Sequence, residues 1–212
     1  MSDPGEVTGR LCTRCGLCCD GTLFADVELA GAAEAGRMAA MGLIVEDDDP
    51  GERLLVQPCA LLRGRRCGIY GHRPVCCRTF ECRLLRETQR GRRSVQCALA
   101  TVASARARIR RAQTLLARMG PRDARLPLVE RAAEALARAV PAGARGRSAR
   151  AELEATMEAL ERILRREFLP DTRGRGALAN GRARAGVASR RAGGPPAPGR
   201  GRDCASPGRP AD

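Results

Sequence analysis

The chain is organised around residues 12–19, CTRCGLCC, which place four thiols within eight residues. Cys12 and Cys15 have the C-x-x-C spacing, and Cys18 repeats it. A C-x-x-C pair closes a tight loop that points both sulfurs at one centre, which suits zinc or an iron–sulfur cluster. The Asp20-Gly21 pair that follows indicates a turn. The stretch therefore predicts a metal-binding site.

The remaining cysteines supply remote ligands for such a site. The chain holds 11 cysteines, and six of them lie between Cys59 and Cys97. A disulfide scaffold in an exported protein is the alternative use of so many thiols. Residues 1–10 lack a basic segment followed by an apolar one, so no secretory signal is recognised. We therefore expect a reducing, cytoplasmic setting.

Composition predicts a thin core and no membrane span. Hydrophobic residues make up 43% of the chain, but aromatic residues only 2%, and tryptophan is absent. A small core of Ala, Leu and Val usually needs a metal or another staple. No run of about 18 apolar residues occurs, so we expect no transmembrane helix.

The charge is unevenly distributed. Residues 1–99 hold 14 arginines against 13 acidic residues, whereas the net charge of the whole chain is +14 and no lysine occurs. The basic second half is compatible with an acidic partner or nucleic acid. Few aromatic side chains are present to stack on bases, so nucleic acid is weakly supported. Solvated arginine-rich helix faces are the alternative interpretation.

The first half is expected to mix helices with short strands. Asp26 is a plausible N-cap for a helix that runs through Met41. Residues 43–45 and 53–56 are short apolar runs on either side of an acidic turn, which predicts a strand, a turn and a strand. Pro74 favours the start of a helix that carries Cys77 and Cys82. These two cysteines lie about 140° apart on a helix, so a shared ligand role requires the helix to end between them.

The second half has helical periodicity from residue 100. One apolar stripe spans residues 102–119, a second spans 128–139, and a third, capped by Ser148, spans 153–164. Gly120, Pro141 and Pro170 are expected to end these helices. The fold class is therefore α+β, with a small cysteine-rich, metal-stapled domain (8–99), an α-helical extension (100–170) and a disordered Arg/Gly/Pro-rich tail (171–212).

Five motifs in order carry a resemblance to a known family. The CTRCGLCC stretch is followed by Pro58-Cys59, Cys67-Gly68-Ile69-Tyr70, residues 73–78 (RPVCCR) and Phe80-Glu81-Cys82. This arrangement resembles the YkgJ-type cysteine-cluster proteins, the zinc- or iron-chelating C-x-x-C-x-x-C-C family, over about residues 10–85. The resemblance implies eight metal-ligand cysteines: Cys12, Cys15, Cys18, Cys19, Cys59, Cys67, Cys77 and Cys82.

The other candidate residues receive milder interpretations. The family pattern selects Cys77 and leaves Cys76 as an extra thiol, which on a helix is expected to point elsewhere. Cys97 and Cys204 lie outside the matched stretch. We expect His72 in a surface loop and Tyr70 in packing. Arg78 is expected to neutralise thiolate charge.

The metal and its use stay open between two cofactors and three classes of function. A four-thiolate zinc site is closed and structural, whereas a C-x-x-C-x-x-C run with a remote cysteine favours an iron–sulfur cluster. The first class is redox or electron transfer with a redox partner protein, and the second is a zinc-stabilised module whose arginine-rich helices bind a partner. The third is a metal carrier or sensor. No nucleophile–base pair, phosphate loop or nucleotide fingerprint indicates an enzyme.

Overall fold

The computed structural model describes residues 3–48, 51–120, 123, 125–138 and 144–169. Helices and short strands alternate in the first half, and helices alone follow, in agreement with the predicted α+β class. The tail (171–212) with Cys204, and the helix ends predicted at Pro141 and Pro170, lie outside the described residues. No helix within the described part is long and apolar enough to cross a bilayer.

Helix α1 spans Pro4–Cys15 and precedes the cysteine-rich turn. The Asp3 side chain accepts a hydrogen bond from the Gly5 amide (3.3 Å), and Pro4 occupies the first helical turn, which is a typical helix start. Val7 and Leu11 form the buried face. Gly16 ends the helix in the left-handed conformation (φ 69°), where glycine is favoured.

A three-stranded antiparallel sheet follows, with strand order β1-β3-β2. Its strands are β1 (Asp26–Glu28), β2 (Val45–Asp47) and β3 (Arg53–Val56), and helix α2 (Ala32–Ala40) connects the first two. The predicted order of strand, turn and strand is confirmed, and β3 has the expected bounds, but β2 begins at Val45 and includes Glu46 and Asp47 of the expected acidic turn. The single helix expected from Asp26 to Met41 is wrong at its start, because Asp26 pairs with Val56 and Gly31 (φ 90°) separates β1 from α2.

A small hairpin and two short helices complete the cysteine-rich part. The hairpin strands are β4 (Leu62–Arg63) and β5 (Arg66–Cys67), and a single 3-10 turn covers Tyr70–His72. Helix α3 spans Val75–Thr79 and helix α4 spans Arg83–Gln89. The expected helix after Pro74 is confirmed, and it ends between Cys77 and Cys82.

The remaining described residues are helical. Their helices are α5 (Val95–Arg118), α6 (Leu128–Ala137) and α7 (Ala144–Ile163), and a π-helical turn covers Leu164–Phe168. Helix α5 begins at its Ser94 cap rather than at residue 100, and α7 begins before the expected Ser148 cap. The predicted division at residue 99 stays a prediction, and α5 runs across it.

Two apolar clusters hold the fold together. The helical core joins α1, α4 and α5 to α6, α7 and the π-helical turn, and it includes Leu11, Leu17, Leu84, Val102, Ile109, Leu116, Leu153, Leu160 and Phe168. The sheet core joins α2 to the three-stranded sheet, and it includes Leu29, Ala35, Met38, Leu43 and Leu55. The cysteine-rich segments lie where these two cores meet, because each core contacts several cysteines.

Candidate metal centre

The central CTRCGLCC stretch forms a helix end followed by a turn. Cys12 and Cys15 lie three residues apart in the last turn of α1, so they share one helix face. Leu17 is fully buried and anchors the turn that carries Cys18 and Cys19. The sequence predicted a loop here, but the helical periodicity of Val7 and Leu11 continues up to Cys15. The spacing of the first two thiols is therefore helical.

A side chain from α5 holds this helix end. Arg106 donates two hydrogen bonds to the Cys15 carbonyl oxygen, one from Nε at 2.8 Å and one from Nη2. Its Nη1 pairs with the Asp20 carboxylate at 2.6 Å. The last carbonyls of a helix lack partners within the helix, and they attract cations. Arg106 therefore fixes the end of α1 and the turn behind it together.

Gly16 makes close packing possible at this point. A Cβ atom there would lie 2.9 Å from Arg106 Nη2 and 3.2 Å from the Arg65 Cα atom. Contacts of this length are tighter than ordinary packing allows, and the positive φ adds strain for any other residue. Gly16 thus allows α5 and the β4–β5 hairpin to approach the cysteine turn.

The hairpin brings Cys59 and Cys67 to the same region. The Cys59 amide donates to the Cys19 carbonyl oxygen at 2.8 Å, which joins the two cysteine-bearing segments directly. Leu62 pairs with Cys67 across the hairpin, and the Leu62 amide donates to the Cys59 carbonyl oxygen at 3.0 Å. Cys59 and Cys67 therefore share one side of the site.

Cys77 and Cys82 belong to different helices. Cys77 lies within α3, whereas Cys82 caps α4 and its sulfur accepts a hydrogen bond from the Leu85 amide at 3.4 Å. The start of α3 is held by Glu34 of α2, whose carboxylate accepts from the Val75 amide at 3.0 Å. Because α3 ends before Cys82 and α4 starts after it, both thiols can face the site.

All eight cysteines implied by the resemblance line one cavity of about 280 Å³. Cys76 lines it as well, 4.0 Å from Cys77 between their sulfurs, so the expectation that Cys76 points elsewhere is wrong. All nine of these thiols are free. Cys97 is disulfide-bonded and does not line the cavity. Apolar side chains also line the cavity: Leu11, Leu17, Leu23, Phe24, Leu55, Leu84, Leu85 and Phe168.

The nine thiols line one cavity, but they do not surround a single metal position. Within the described residues, no group of three or more His, Cys, Asp or Glu side chains is arranged to hold a single ion. Nine buried or half-buried sulfurs on one cavity nevertheless form a donor set that fits soft metals, because thiolates prefer zinc, iron–sulfur clusters and copper(I). Inward rotation of the side chains is what coordination would require.

Electrostatic neighbours divide the thiols into two groups. Burial, followed by the charge of Cys82, raises the pKa of Cys12 to about 11. Burial raises the pKa of Cys15 to about 12 and that of Cys18 well above its usual value, and Cys82 raises both further. We call Cys12, Cys15, Cys18 and Cys82 the helix-side group. All four also pack against the helical core.

The second group includes Cys59, which packs against the sheet core. Burial, followed by the charges of Cys59 and Cys67, raises the pKa of Cys19 to about 12. The hydrogen bond with Cys76, burial and the nearby charges of Cys76, Cys19 and Cys18 raise the pKa of Cys77. We call Cys19, Cys59, Cys67 and Cys77 the hairpin-side group. Crowded thiols of this kind hold their protons at neutral pH until a metal displaces them.

The charged and aromatic side chains between Tyr70 and Arg78 match the sequence-based expectations only in part. Arg73 stacks on the Tyr70 ring at 3.8 Å and donates to the Cys77 carbonyl oxygen at 3.3 Å, and its charge lowers the pKa of Cys12. Tyr70 is 44% exposed, so the packed position expected for it is wrong. His72 is exposed and lies outside the cavity lining, as expected of a surface loop. Arg78 lines the cavity rim and is exposed.

Sequence reasoning missed three supporting residues. Arg106 was one of many arginines, and its contact with Cys15 spans 91 positions, so no local signal identifies it. Gln57 is buried within the cavity wall, and its Oε1 has no hydrogen-bond partner among the described residues. Glu34 could have been recognised, since it follows the Gly31 cap by three residues, the place of the glutamate in a capping box.

Comparison with known proteins agrees with this geometry. Residues 11–98 match the model of the CxxCxxCC family, described as a "putative zinc- or iron-chelating domain". The match includes every cysteine that lines the cavity. Comparisons with curated proteins and with solved structures found no match.

Proposed function

We propose that the thiolates of this chain, whose residues 11–98 match the CxxCxxCC family model, chelate iron as iron–sulfur clusters that serve redox or electron transfer. The observation that carries the proposal is the single cavity lined by the eight family-matched cysteines. The helix-side and hairpin-side groups each offer four thiols, the number that a cluster of this kind needs.

The ligand chemistry favours iron–sulfur clusters over single ions. Three helix-side thiols come from a C-x-x-C-x-x-C run and the fourth, Cys82, is remote, as in cluster-binding proteins. The described thiols are spread around a cavity of about 280 Å³, which is larger than one ion needs. The apolar wall with Leu84 and Phe168 excludes water, and burial of this kind tunes a reduction potential. A bound cluster would supply one-electron transfer.

Arginine side chains near the cysteines would offset the negative charge of such a site. Arg73 and Arg106 lie against the thiol-bearing segments, and their guanidinium groups offset thiolate charge. The nine free thiols of the cavity and exchange of electrons with a redox partner protein both fit a cytoplasmic location, which we propose for the chain.

A structural-zinc interaction module is the second candidate. Arg14, Arg65, Arg66 and Arg78 are exposed near the cysteine segments and form no ion pair within the described residues. Unpaired arginines are free to bind an acidic partner or nucleic acid. In this case each thiol group would hold one zinc ion in a closed tetrahedral site. By contrast, Arg162 of α7 pairs with Glu158 and Arg165 of the π-helical turn pairs with Glu161, in each case four positions earlier.

One experiment distinguishes the two candidates. The full-length protein is purified without oxygen, and its iron, zinc and acid-labile sulfide are measured beside its visible spectrum. Iron with equimolar sulfide and a broad visible absorption supports the cluster, whereas zinc without sulfide overturns it in favour of the module. Cys15→Ser should lower the metal content, and Thr114→Ser, at an exposed position on α5 outside the cavity lining, is the control. Full-length protein without any of these metals would contradict both candidates.

A further inference from the structure

Cys76 occupies the same cavity as the family-matched thiols. It lies beside Cys77 on α3, it is half-buried, and it packs against the sheet core, as Cys59 also does. The resemblance assigns it no role, and helix geometry alone would separate neighbouring side chains by about 100°. The structure instead places both sulfurs on the cavity lining. A helix of only five residues with Pro74 before it leaves room for this arrangement.

The distance between the Cys76 and Cys77 sulfurs can be compared with that of two metal ligands and with that of a disulfide. The Cys76 and Cys77 Sγ atoms are 4.0 Å apart. Two thiolates on one tetrahedral zinc ion, each at about 2.3 Å, lie about 3.8 Å from one another. A disulfide would require about 2.05 Å, far less than the observed distance. The separation therefore matches two ligands of one ion without further movement of the backbone.

The backbone that carries this pair is held independently of any metal. Glu34 is 4% exposed, and its two carboxylate oxygens accept from the Ala30 amide at 2.8 Å and the Val75 amide at 3.0 Å. These bonds connect the start of α2 to the start of α3. The position of the Cys76–Cys77 pair is therefore fixed by packing and hydrogen bonds of the protein itself.

We propose that Cys76 is a ninth thiolate ligand, which shares one iron or zinc atom with Cys77 at the hairpin-side group. This inference rests on the proposed metal-binding function and adds a ligand to it. The hairpin-side group then has five candidate donors: Cys19, Cys59, Cys67, Cys76 and Cys77. A tetrahedral ion needs only four of them.

The test uses Zn²⁺ as the probe and reads each cysteine separately. The full-length protein is reduced and stripped of metal without oxygen, divided, and reloaded with Zn²⁺ in one half. Both halves are treated with iodoacetamide, and modification of each cysteine is followed by mass spectrometry. We expect zinc to slow the modification of Cys76 at least tenfold, in parallel with Cys77. Unchanged modification of Cys76 while the eight family-matched cysteines are protected overturns this inference alone. A third portion is reloaded with iron and sulfide, and absence of protection at every cysteine with both zinc and iron overturns the proposed metal binding itself.

A second measurement separates ligation from burial. The metal-free protein is loaded with Co²⁺, and thiolate-to-cobalt charge-transfer absorption is measured per bound ion. We expect Cys76→Ser to lower this absorption and Thr79→Ser, at an exposed position on the same helix outside the cavity lining, to leave it unchanged, because only a ligand contributes to it. Protection of Cys76 from iodoacetamide together with unchanged absorption in Cys76→Ser would show mere burial and overturn the proposal.

Discussion

Arg106 contacts two parts of the cysteine turn at once. Its guanidinium binds the Cys15 carbonyl oxygen and the Asp20 carboxylate, and it is largely buried in doing so. Hydrogen bonds to a charged group contribute about 1.5–3 kcal/mol each when they are buried, and their loss leaves a helix-end carbonyl without a partner. This side chain therefore couples α5 to the geometry of Cys12 and Cys15.

We predict that Arg106→Ala destabilises the turn and weakens metal retention. The free energy of unfolding should fall by about 2–3 kcal/mol. Transfer of bound metal to a chelator should accelerate as well, because Cys15 loses its fixed position. Arg110→Ala, an exposed arginine on the same helix, is the control and should change neither quantity by much. Equal behaviour of the two variants in urea unfolding and chelator competition would contradict the role of Arg106.

The thiols also set a pH dependence for the metal-free protein. Cys12, Cys15 and Cys19 have folded pKa values of about 11, 12 and 12, against an ordinary value of 9.0. Between pH 9 and 11 the folded state therefore binds more protons than the unfolded state. Since the free energy of unfolding changes with the difference in bound protons, it falls as pH rises through this window.

We accordingly predict constant stability of the metal-free protein up to about pH 9 and a loss of stability above it. Urea unfolding in excess chelator at several pH values measures this. Variants with serine at Cys12, Cys15 and Cys19 should show a shallower decline. The metal-bound protein should behave in the opposite way and lose metal in acid, because protons compete for the thiolates. A decline that starts well below pH 9 would point to groups other than these thiols.

At the scale of elements, Glu34 joins two helix starts. We predict that Glu34→Gln lowers the free energy of unfolding by about 1–3 kcal/mol, because an amide offers one acceptor oxygen where the carboxylate uses both. Glu46→Gln, an exposed site on β2, is the matched control and should be nearly neutral. The measurement is urea unfolding in chelator. A neutral result at Glu34 would mean that α3 needs no support from α2.

Elements with a strong local signal could be predicted from the sequence. The apolar runs on either side of the acidic turn predicted two strands, observed as β2 and β3, and Pro74 predicted the start of α3. Turn residues and proline could be used in this way because they act locally. Residues 26–28 could not be read in this way. Their helical pattern is overridden by antiparallel pairing with β3, a contact almost thirty residues away. The start of α1 was overlooked although Asp3 and Pro4 form a typical cap.

The candidate site was predictable in kind, but its supports were not. Spacing and resemblance selected eight cysteines, and the structure brings all of them to one cavity. Their partition into two groups depends on how α4 and the β4–β5 hairpin pack against α1, which no local pattern reveals. Cys76 shows the same limit, because its direction follows from the short α3 and its anchor at Glu34. The sequence therefore predicts which residues are candidate ligands, whereas tertiary contacts decide which of them share one metal centre.

At the scale of the whole molecule, the last described residues contribute to the wall of the cavity. Phe168 is fully buried in the helical core and contributes to the cavity wall. Glu167 pairs with Arg93 at 2.8 Å, and Arg93 also pairs with Glu87 at 3.3 Å. The Arg166 carbonyl oxygen accepts from Arg83 at 2.9 Å. The π-helical turn is therefore tied to α4 and to the start of α5, directly behind the helix-side thiols.

We therefore predict that the chain divides at residue 169 into a part that the metal site requires and a part that it does not require. A chain that ends after Leu169 should keep full metal content and thermal stability, whereas one that ends after Ile163 should lose both, since it lacks Phe168 and the Glu167–Arg93 pair. Phe168→Ala should cost about 3–5 kcal/mol through the cavity it leaves, and Phe168→Leu clearly less. Metal per chain and the unfolding temperature are measured for each variant beside the full-length protein. Full metal retention in the chain that ends at Ile163 would show that residues 164–169 only cover the site. Loss of metal in the chain that ends at Leu169 would instead show that the site depends on residues beyond it.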